Sequence, residues 1–351
     1  MDANVASDPR LALLTRWVRE DLGFDPALLA PASADASFRR YFRVSRDGES
    51  FIVMDAPPDK EDLAPFVTVA RLLAGAGLNV PWVLARNEPL GLLLLTDLGT
   101  RLYLPELISA AAAGPLYRDA FAALLCMQTA GRDPAAALPP YDEALLRREM
   151  QLFPDWFLGR HLELVPDTAE TAMLERLYTS LVDAALAQPQ TFVHRDFHSR
   201  NLLVTAESSP GIIDFQDAVR GPVTYDLVSL LKDCYVAWPA PMVREWALQY
   251  REQLLRAGFP LALDAAGFLR AFDLMGLQRH VKVLGIFCRL CYRDGKARYL
   301  GDLPRVLDYA CAAAATYPET EAFSAFLTER VRPAFVAAQR RAGVGASGRV
   351  H

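Results

Sequence analysis

Three side chains in one part of the chain have the residue types and spacing that phosphoryl transfer needs. Asp196 lies in the stretch His194-Arg195-Asp196-Phe197-His198-Ser199-Arg200-Asn201, and Asp214 follows a short distance after Asn201. A carboxylate can accept the proton of an attacking hydroxyl group. Amide and carboxylate oxygens are ligands that magnesium accepts. The stretch therefore predicts Asp196 as a general base, with Asn201 and Asp214 as magnesium ligands beside a transferred phosphoryl group.

The residues between these groups predict a hairpin that brings them together. Residues 202–204 and 211–213 are apolar, and residues 205–210 are rich in turn formers. The pattern His-Arg-Asp-x-x-x-x-Asn followed by Asp-Phe resembles the catalytic and metal-binding loops of protein-kinase-like enzymes. Gln216 and Asp217 follow here, where protein kinases have a glycine. Asp217 either assists at a second metal or is a solvated or capping residue, and its spacing favours neither.

Composition limits the classes of function. The chain has 351 residues, 52% hydrophobic and 23% charged, with a net charge of -5, which allows about two domains. We expect no nucleic-acid partner because a sequence-wide basic field is absent. Met1 to Pro9 has no apolar signal-peptide core, and no apolar run is long enough for a bilayer. The five scattered cysteines suit a reduced compartment, so we expect a cytoplasmic protein without membrane contact or an obligate protein partner.

The order of the predicted elements indicates an α+β protein with two lobes. Strands are predicted around residues 39–44, 50–54, 79–86 and 90–95, with a helix from Leu63 to Ala76. Thr96-Asp97-Leu98-Gly99 is the predicted hinge. Beyond it, helical periodicity dominates, at residues 116–129, 142–161, 169–187, 241–257, 265–293 and 303–317. We therefore expect a small mixed lobe over residues 1–95, with an antiparallel sheet and a helix. A larger, mostly helical lobe should cover residues 96–342, followed by a flexible tail over residues 343–351.

The chain resembles the aminoglycoside phosphotransferase and choline kinase-like superfamily over nearly its whole length. Within that superfamily it is most similar to the anomeric sugar kinases of bacterial cell-wall recycling. The stretches that carry the resemblance are residues 35–43, Met54-Asp55-Ala56-Pro57-Pro58, residues 194–201, residues 213–217, Tyr225-Asp226-Leu227 and residues 277–285. The resemblance implies a two-lobe protein-kinase-like fold, with ATP and Mg²⁺ as cofactors.

The same resemblance implies roles for individual residues. Asp196 would be the base, Asn201 and Asp214 the magnesium ligands, and Asp226 a carboxylate that braces the catalytic loop. The nucleotide would lie against residues of the first hairpin and the hinge. These nucleotide-binding candidates are Ser37, Phe38, Arg40, Arg43, Asp97 and Leu98.

One departure concerns the cation that meets the phosphates of ATP. Protein kinases have a lysine on the third strand, paired with a glutamate of the following helix. Here Met54 ends that strand, and the predicted helix has Arg71 as its only charge. Because both members of the usual pair are missing, we expect a rewired site. Arg40 or Arg43 is the predicted substitute, with Lys60 third, since arginine can grip phosphate with two hydrogen bonds.

The prediction of acceptor-binding residues rests on one helical segment. In residues 277–296, basic residues including Arg279 and Lys282 lie opposite an apolar face. Two interpretations stay open: a solvated basic face, or a site where Arg279 or Lys282 meets an anionic group such as the lactyl carboxylate of N-acetylmuramate. His280, at the edge of the apolar face, is a candidate for contact with sugar hydroxyls.

The resemblance implies an ATP-dependent kinase that transfers the γ-phosphoryl group to the anomeric hydroxyl of N-acetylmuramate and N-acetylglucosamine in peptidoglycan recycling. One alternative is a kinase of aminoglycosides or other small alcohols. Aminoglycosides are polycations, so the basic residues after residue 278 argue against them. A second alternative is a nucleotide-binding pseudokinase with a regulatory role. The missing lysine favours this alternative, whereas Asp196, Asn201 and Asp214 argue against it.

Overall fold

The structure, a computed structural model, describes residues 8–34 and 38–341. The chain divides into two compact units. The first contains the residues up to Pro134 together with residues 199–218, and the second contains residues 135–198 and those from Val219 onward. The lobe boundary predicted between residues 95 and 96 falls inside the first unit and stays a prediction. The tail predicted over residues 343–351 lies outside the described residues.

The first unit is built on an antiparallel sheet with the strand order β1-β2-β3-β5-β4. A hairpin, β7–β8, pairs Leu202 with Ile212, as predicted from the sequence. The strands of this unit are β1 (Ala30–Ala34), β2 (Arg40–Arg46), β3 (Glu49–Asp55), β4 (Val83–Asn87), β5 (Leu92–Thr96), β7 (Leu202–Leu203) and β8 (Gly211–Ile212). Its helices are α1 (Pro9–Glu20), α2 (Leu63–Gly75), α3 (Tyr103–Glu106) and α4 (Ala110–Thr129).

The two faces of this sheet contact different helices. On one face Phe42, Val44 and Val53 pack in a buried cluster with Leu14 and Trp17 of α1. Since side chains alternate along a strand, residues 41, 43 and 54 lie on the opposite face. The first turn of α2 lies on that opposite face, because Leu63 and Val67 line a cavity together with Leu93. Asp62 caps this helix by accepting a hydrogen bond from the Ala64 amide.

Up to residue 341, the second unit is helical apart from turns, loops and one strand pair, β6 (Gln190–Val193) with β9 (Val219–Pro222). The longest helix, α9, is buried along most of its length and contacts several of the others. The helices of this unit are α5 (Glu143–Met150), α6 (Thr168–Leu186), α7 (Tyr225–Leu231), α8 (Ala240–Arg256), α9 (Ala265–Tyr292), α10 (Leu303–Ala314), α11 (Glu321–Phe326) and α12 (Arg332–Arg341). Over the described ranges, no helix is long and apolar enough to cross a membrane.

The single helix predicted over residues 142–161 is interrupted. The α-helix α5 ends at Met150, and residues Phe153–Leu162 form a π-helix. Pro154 lies at the start of this wider segment. A proline cannot donate the backbone hydrogen bond that would continue an α-helix, which accounts for the break at this point. The apolar periodicity continues through the break, so the sequence pattern did not reveal it.

Candidate active site

The predicted base lies on a loop that begins at the end of β6. The side chain of Asp196 is 39% exposed, so it is open to a substrate. Arg195 adopts a positive φ of 76°, an uncommon conformation for a residue with a side chain. Asp226 of α7 holds this conformation by accepting hydrogen bonds from the backbone amides of His194 at 2.7 Å and Arg195 at 3.0 Å. The predicted bracing role of Asp226 is thus confirmed.

Basic side chains surround the carboxylate of Asp196. The Nη2 atom of Arg279 lies 3.7 Å from Oδ1 of Asp196, and Nε2 of His198 lies 4.0 Å from the same oxygen. Burial alone would raise the pKa of Asp196, but Arg279, Lys282 and His198 together hold that pKa well below its usual range. The carboxylate is therefore ionised at neutral pH, as a proton acceptor must be.

Behind the base lies a buried cluster of charges centred on Glu149 and the Tyr225 hydroxyl. Lys282 Nζ lies 2.8 Å from Glu149 Oε1 and donates to the Tyr225 hydroxyl at 3.0 Å. The guanidinium of Arg195 pairs with the same Glu149 oxygen. Burial would raise the pKa of Glu149, but Lys282 and Arg195 lower it to about 2. We call Glu149, Arg195, Tyr225, Arg279 and Lys282 the buried charge cluster.

The three residues predicted to bind the acceptor are therefore in the interior. Arg279 and Lys282 are 3% and 5% exposed and belong to the buried charge cluster. His280 is fully buried; its Nε2 contacts the carbonyl oxygen of Lys232 at 3.1 Å, and its ring stacks on Tyr309. Burial lowers the pKa of His280 to about 3, so the ring is neutral. The predicted contacts of these residues with a sugar stay predictions. The interpretation as a solvated basic face is wrong for Arg279 and Lys282, because both side chains are buried.

The two predicted magnesium ligands contact one another within the first unit. Asn201 Nδ2 donates to Asp214 Oδ2 at 3.2 Å, and Gln216 Nε2 donates to Asp214 Oδ1 at 2.9 Å. The backbone amide of Ile213 donates to the Asn201 carbonyl at 3.1 Å, so the β7–β8 hairpin holds both residues in register. Asp214 has a positive φ of 64°. A carboxylate in contact with an asparagine side chain supplies the oxygen ligand types that magnesium accepts, and magnesium takes few protein ligands, which leaves room for phosphates and water.

The described nucleotide-binding candidates occupy three places in the first unit. Ser37 lies outside the described residues. Phe38 is 63% exposed, and its backbone amide donates to Glu61 at 3.1 Å. At the hinge, Asp97 accepts hydrogen bonds from Arg43 at 2.5 Å and from the Ser50 hydroxyl at 2.5 Å.

Leu98, the other predicted hinge contact, packs closely on the β7–β8 hairpin. A Cβ atom on Gly211 would lie 3.0 Å from Leu98 Cδ1, so a side chain at this position of the hairpin would require Leu98 to shift. The hinge and the hairpin that carries the predicted metal ligands are therefore packed together within the first unit. The roles of Asp97 and Leu98 toward a nucleotide stay predictions.

Arg40 lies on the α1 face of the sheet. Its Nη2 donates to the buried carboxylate of Asp55 at 2.6 Å, and its guanidinium also pairs with Asp8. Arg10 of α1 binds the second oxygen of Asp55. These contacts place Arg40 on the face opposite to Met54. Its predicted role at the phosphates stays a prediction, and the side of the sheet that it occupies argues against that role.

Two ion-paired groups were not predicted from the sequence. Arg39 Nη2 lies 2.8 Å from Glu61 Oε2, with side chains only 9% and 11% exposed. Glu149, the counter-ion of the buried charge cluster, was also missed. Glu149 follows Arg147 and Arg148 on a short polar helix, which is the pattern of a solvated face. The sequence offered one signal for the Arg39–Glu61 pair. Arg39 directly precedes the predicted phosphate contact Arg40, and Glu61 lies just before α2.

A cavity of about 620 Å³ lies beside the first turn of α2. Carboxylates outnumber cations in its lining, which includes Asp59, Lys60, Glu61, Asp62, Arg86 and Glu88. A triphosphate would be repelled by such a lining. We therefore do not assign the nucleotide to this cavity, whose lining includes Glu61 but not its ion-pair partner Arg39.

Comparisons with known proteins agree with this arrangement. The chain is 52% identical over 294 residues to the N-acetylmuramate/N-acetylglucosamine kinase of Pseudomonas aeruginosa, covering 84% of this chain and 86% of that protein. It is 48% identical over 332 residues to the kinase of the same name from Pseudomonas putida, covering 92% and 97%. Among solved structures, ADP-bound aminoglycoside phosphotransferase APH(2'')-Ib matches with a TM-score of 0.56 and 14% identity, covering 85% and 97%. This last likeness shows the fold.

Residues 29–265 match the family described as the phosphotransferase enzyme family. This range contains the hairpin, the hinge, Asp196, Asn201 and Asp214, and it covers more than half of the chain. The relatives at 52% and 48% identity match a larger share of the chain, 84% and 92%. The chain belongs to the phosphotransferase enzyme family and has its protein-kinase-like fold.

Proposed function

We propose that this enzyme transfers the γ-phosphoryl group of ATP to the anomeric hydroxyl of N-acetylmuramate and N-acetylglucosamine. The observation that carries the proposal is the ionised, part-exposed Asp196, held by Asp226 and Arg279 in a chain whose relatives are named for these two sugars. The substrates place the enzyme in peptidoglycan recycling. Five free cysteines, of which Cys234 and Cys288 are buried, support a reducing cytoplasm.

The proposed reaction needs one proton transfer. The anomeric oxygen attacks the γ-phosphorus, the bond from that phosphorus to the bridging oxygen breaks, and ADP leaves with the electron pair. The proton of the sugar hydroxyl passes to the Asp196 carboxylate. An anomeric hydroxyl is more acidic than a ring alcohol, so a carboxylate with a low pKa can still guide its proton. When bound, magnesium would neutralise charge on the phosphates, and Asn201 and Asp214 are the residues that would hold it.

The charges around the base favour an anionic or neutral acceptor. Arg279 and His198 lie within 4.0 Å of Asp196, and Lys282 lies behind them. A polycationic aminoglycoside would meet like charges at the position of its reacting hydroxyl. This argues against the aminoglycoside alternative. The alternative of a pseudokinase is disfavoured by the ordered base and the paired metal ligands.

The test is a substrate panel. The purified enzyme is incubated with ATP and magnesium, together with N-acetylmuramate, N-acetylglucosamine or kanamycin, and ADP release is measured. We expect turnover with both N-acetylated sugars and none with kanamycin. Turnover of kanamycin alone would support the aminoglycoside alternative, and inactivity toward every acceptor would support the pseudokinase.

A further inference from the structure

The face of the sheet that contains Met54 has no lysine, yet the structure places a buried cation beside it. Met54 is fully buried and pairs with Tyr41 on β2 and Leu93 on β5. This is the face on which the first turn of α2 lies. In protein kinases the corresponding face presents a lysine to the phosphates of ATP, paired with a glutamate of the helix.

Arg39 and Glu61 form an ion pair next to that face. Arg39 directly precedes β2 and lies two residues before Tyr41, so the alternation of the strand continues to it. Its guanidinium reaches Glu61, the residue before the cap of α2, at 2.8 Å. The other oxygen of Glu61 accepts the backbone amide of Phe38 at 3.1 Å. A cation from the sheet and a carboxylate from the start of the helix are therefore held together.

The other arginines of this hairpin are committed elsewhere. Arg40 is bound to Asp55 and Asp8 on the α1 face. Arg43 is bound to Asp97 and to the Gly99 carbonyl, at the hinge. Neither is paired with a residue next to α2. Of the three arginines, only Arg39 both lies on the Met54 face and pairs with a carboxylate at the start of α2.

We propose that the Arg39–Glu61 pair replaces the missing lysine–glutamate pair, and that Arg39 binds the phosphates of ATP. The inference rests on the proposed function, because it assumes that the chain binds ATP. Glu61 orients the guanidinium through one of its nitrogens, as the helix glutamate orients the lysine in protein kinases. In the proposed complex, N–H groups of the planar fork meet phosphate oxygens, which a guanidinium matches with two parallel hydrogen bonds.

Calorimetric titration with magnesium and a non-hydrolysable ATP analogue tests the pair without relying on turnover. We expect Arg39→Met to weaken binding of the analogue by about 10- to 100-fold, the effect of losing a charge-assisted hydrogen bond. Arg39→Lys keeps the charge and should recover part of that loss. The matched control is Arg46→Met, because Arg46 lies at the other end of β2, is exposed, and donates to the Leu22 carbonyl. This control should bind the analogue as the unmodified enzyme does.

Two further outcomes separate this inference from the proposed function. If Arg39→Met binds the analogue as tightly as the control while the unmodified enzyme phosphorylates its sugars, the inference is overturned and the proposed function stands. If binding depends on Arg39 but no sugar is phosphorylated, the inference stands and the proposed function fails. Should Arg39→Met not fold, Glu61→Gln provides the test. Binding weakened several-fold supports the pair, and unchanged binding contradicts it.

Discussion

Arg279 donates a hydrogen bond from Nη1 to the carbonyl oxygen of Arg195 at 2.8 Å. A residue of α9 thereby holds the peptide group that directly precedes the predicted base. The same nitrogen lies 3.1 Å from the Tyr225 hydroxyl, which also accepts Lys282. The loop is therefore fixed from two sides, by α9 through its carbonyl and by Asp226 through its amides. This arrangement gives Arg279 a contact that positions the loop carrying Asp196.

The position of Arg279 predicts equal kinetic losses for both sugars. We expect Arg279→Ala to lower kcat for N-acetylmuramate and N-acetylglucosamine by a similar factor, about 10-fold or more. The reason is that a misoriented base slows the proton transfer with either sugar. The KM of either sugar should change less than kcat. A loss of about 1.5–3 kcal/mol that is confined to N-acetylmuramate would instead show that Arg279 binds the lactyl carboxylate. Arg279→Lys, which keeps the charge, should recover part of the activity.

Replacement of the base should separate chemistry from binding. Asp196→Asn retains the size of the side chain but cannot accept the sugar proton. We expect turnover to fall by about 10²–10⁴, with ATP binding and the unfolding midpoint nearly unchanged. Steady-state kinetics, calorimetry with an ATP analogue and thermal unfolding provide the three measurements. Retention of most of the activity would remove Asp196 from the mechanism.

The predicted metal ligands should affect the response to magnesium. Asn201→Ala and Asp214→Ala each remove one oxygen ligand. We expect each change either to abolish turnover or to require a higher magnesium concentration for half-maximal activity. Gln216→Ala serves as the control, because Gln216 donates to Asp214 without supplying an acidic ligand. A magnesium dependence that stays unchanged in both variants would contradict the assignment.

Because of Glu149, the free energy of unfolding should decrease at acidic pH. Its pKa in the folded protein is about 2, below the ordinary value of 4.5. A lowered pKa contributes stability that is fully present above about pH 4.5 and is lost as the pH falls toward 2. The contribution is about 3 kcal/mol. We expect Glu149→Gln to be less stable at pH 7 and to show a weaker pH dependence in urea unfolding.

Exposed Glu329 provides the control for that measurement. Glu329→Gln should leave both the unfolding free energy and its pH dependence as they are in the unmodified protein. If Glu149→Gln is as stable as the unmodified protein at pH 7, the buried charge cluster does not stabilise the fold. Such a result would also mean that Arg195 and Lys282 are accommodated without a counter-ion.

The parts of the fold that follow from local patterns could be predicted. The α2 helix was expected over residues 63–76 and is observed over Leu63–Gly75, and α9 was expected over 265–293 and is observed over Ala265–Tyr292. Helix α7 was not predicted, because every residue from Tyr225 to Leu231 is buried. A short helix that is covered on all sides shows no amphipathic period. Strand β1, which contains Pro31, also lacked a strand pattern.

The candidate site could be predicted where a motif specifies it and not where charges meet across the fold. The motif identified Asp196, Asn201 and Asp214, and the role of Asp226 followed from the family resemblance. The charged stripe of α9 has the spacing of a solvated face, yet Arg279 and Lys282 are buried while Arg293 is 55% exposed. Sequence spacing does not show that Glu149, more than a hundred residues earlier, neutralises Lys282.

The position of the phosphate in the product tests the central claim most directly. N-acetylmuramate and N-acetylglucosamine are each converted with ATP and magnesium, and the product is examined by proton and phosphorus NMR. The proposed function predicts a phosphorus coupling to the proton on carbon 1 and loss of the reducing end in both products. A phosphorus coupling to the protons on carbon 6, with the anomeric proton still free to mutarotate, would contradict it.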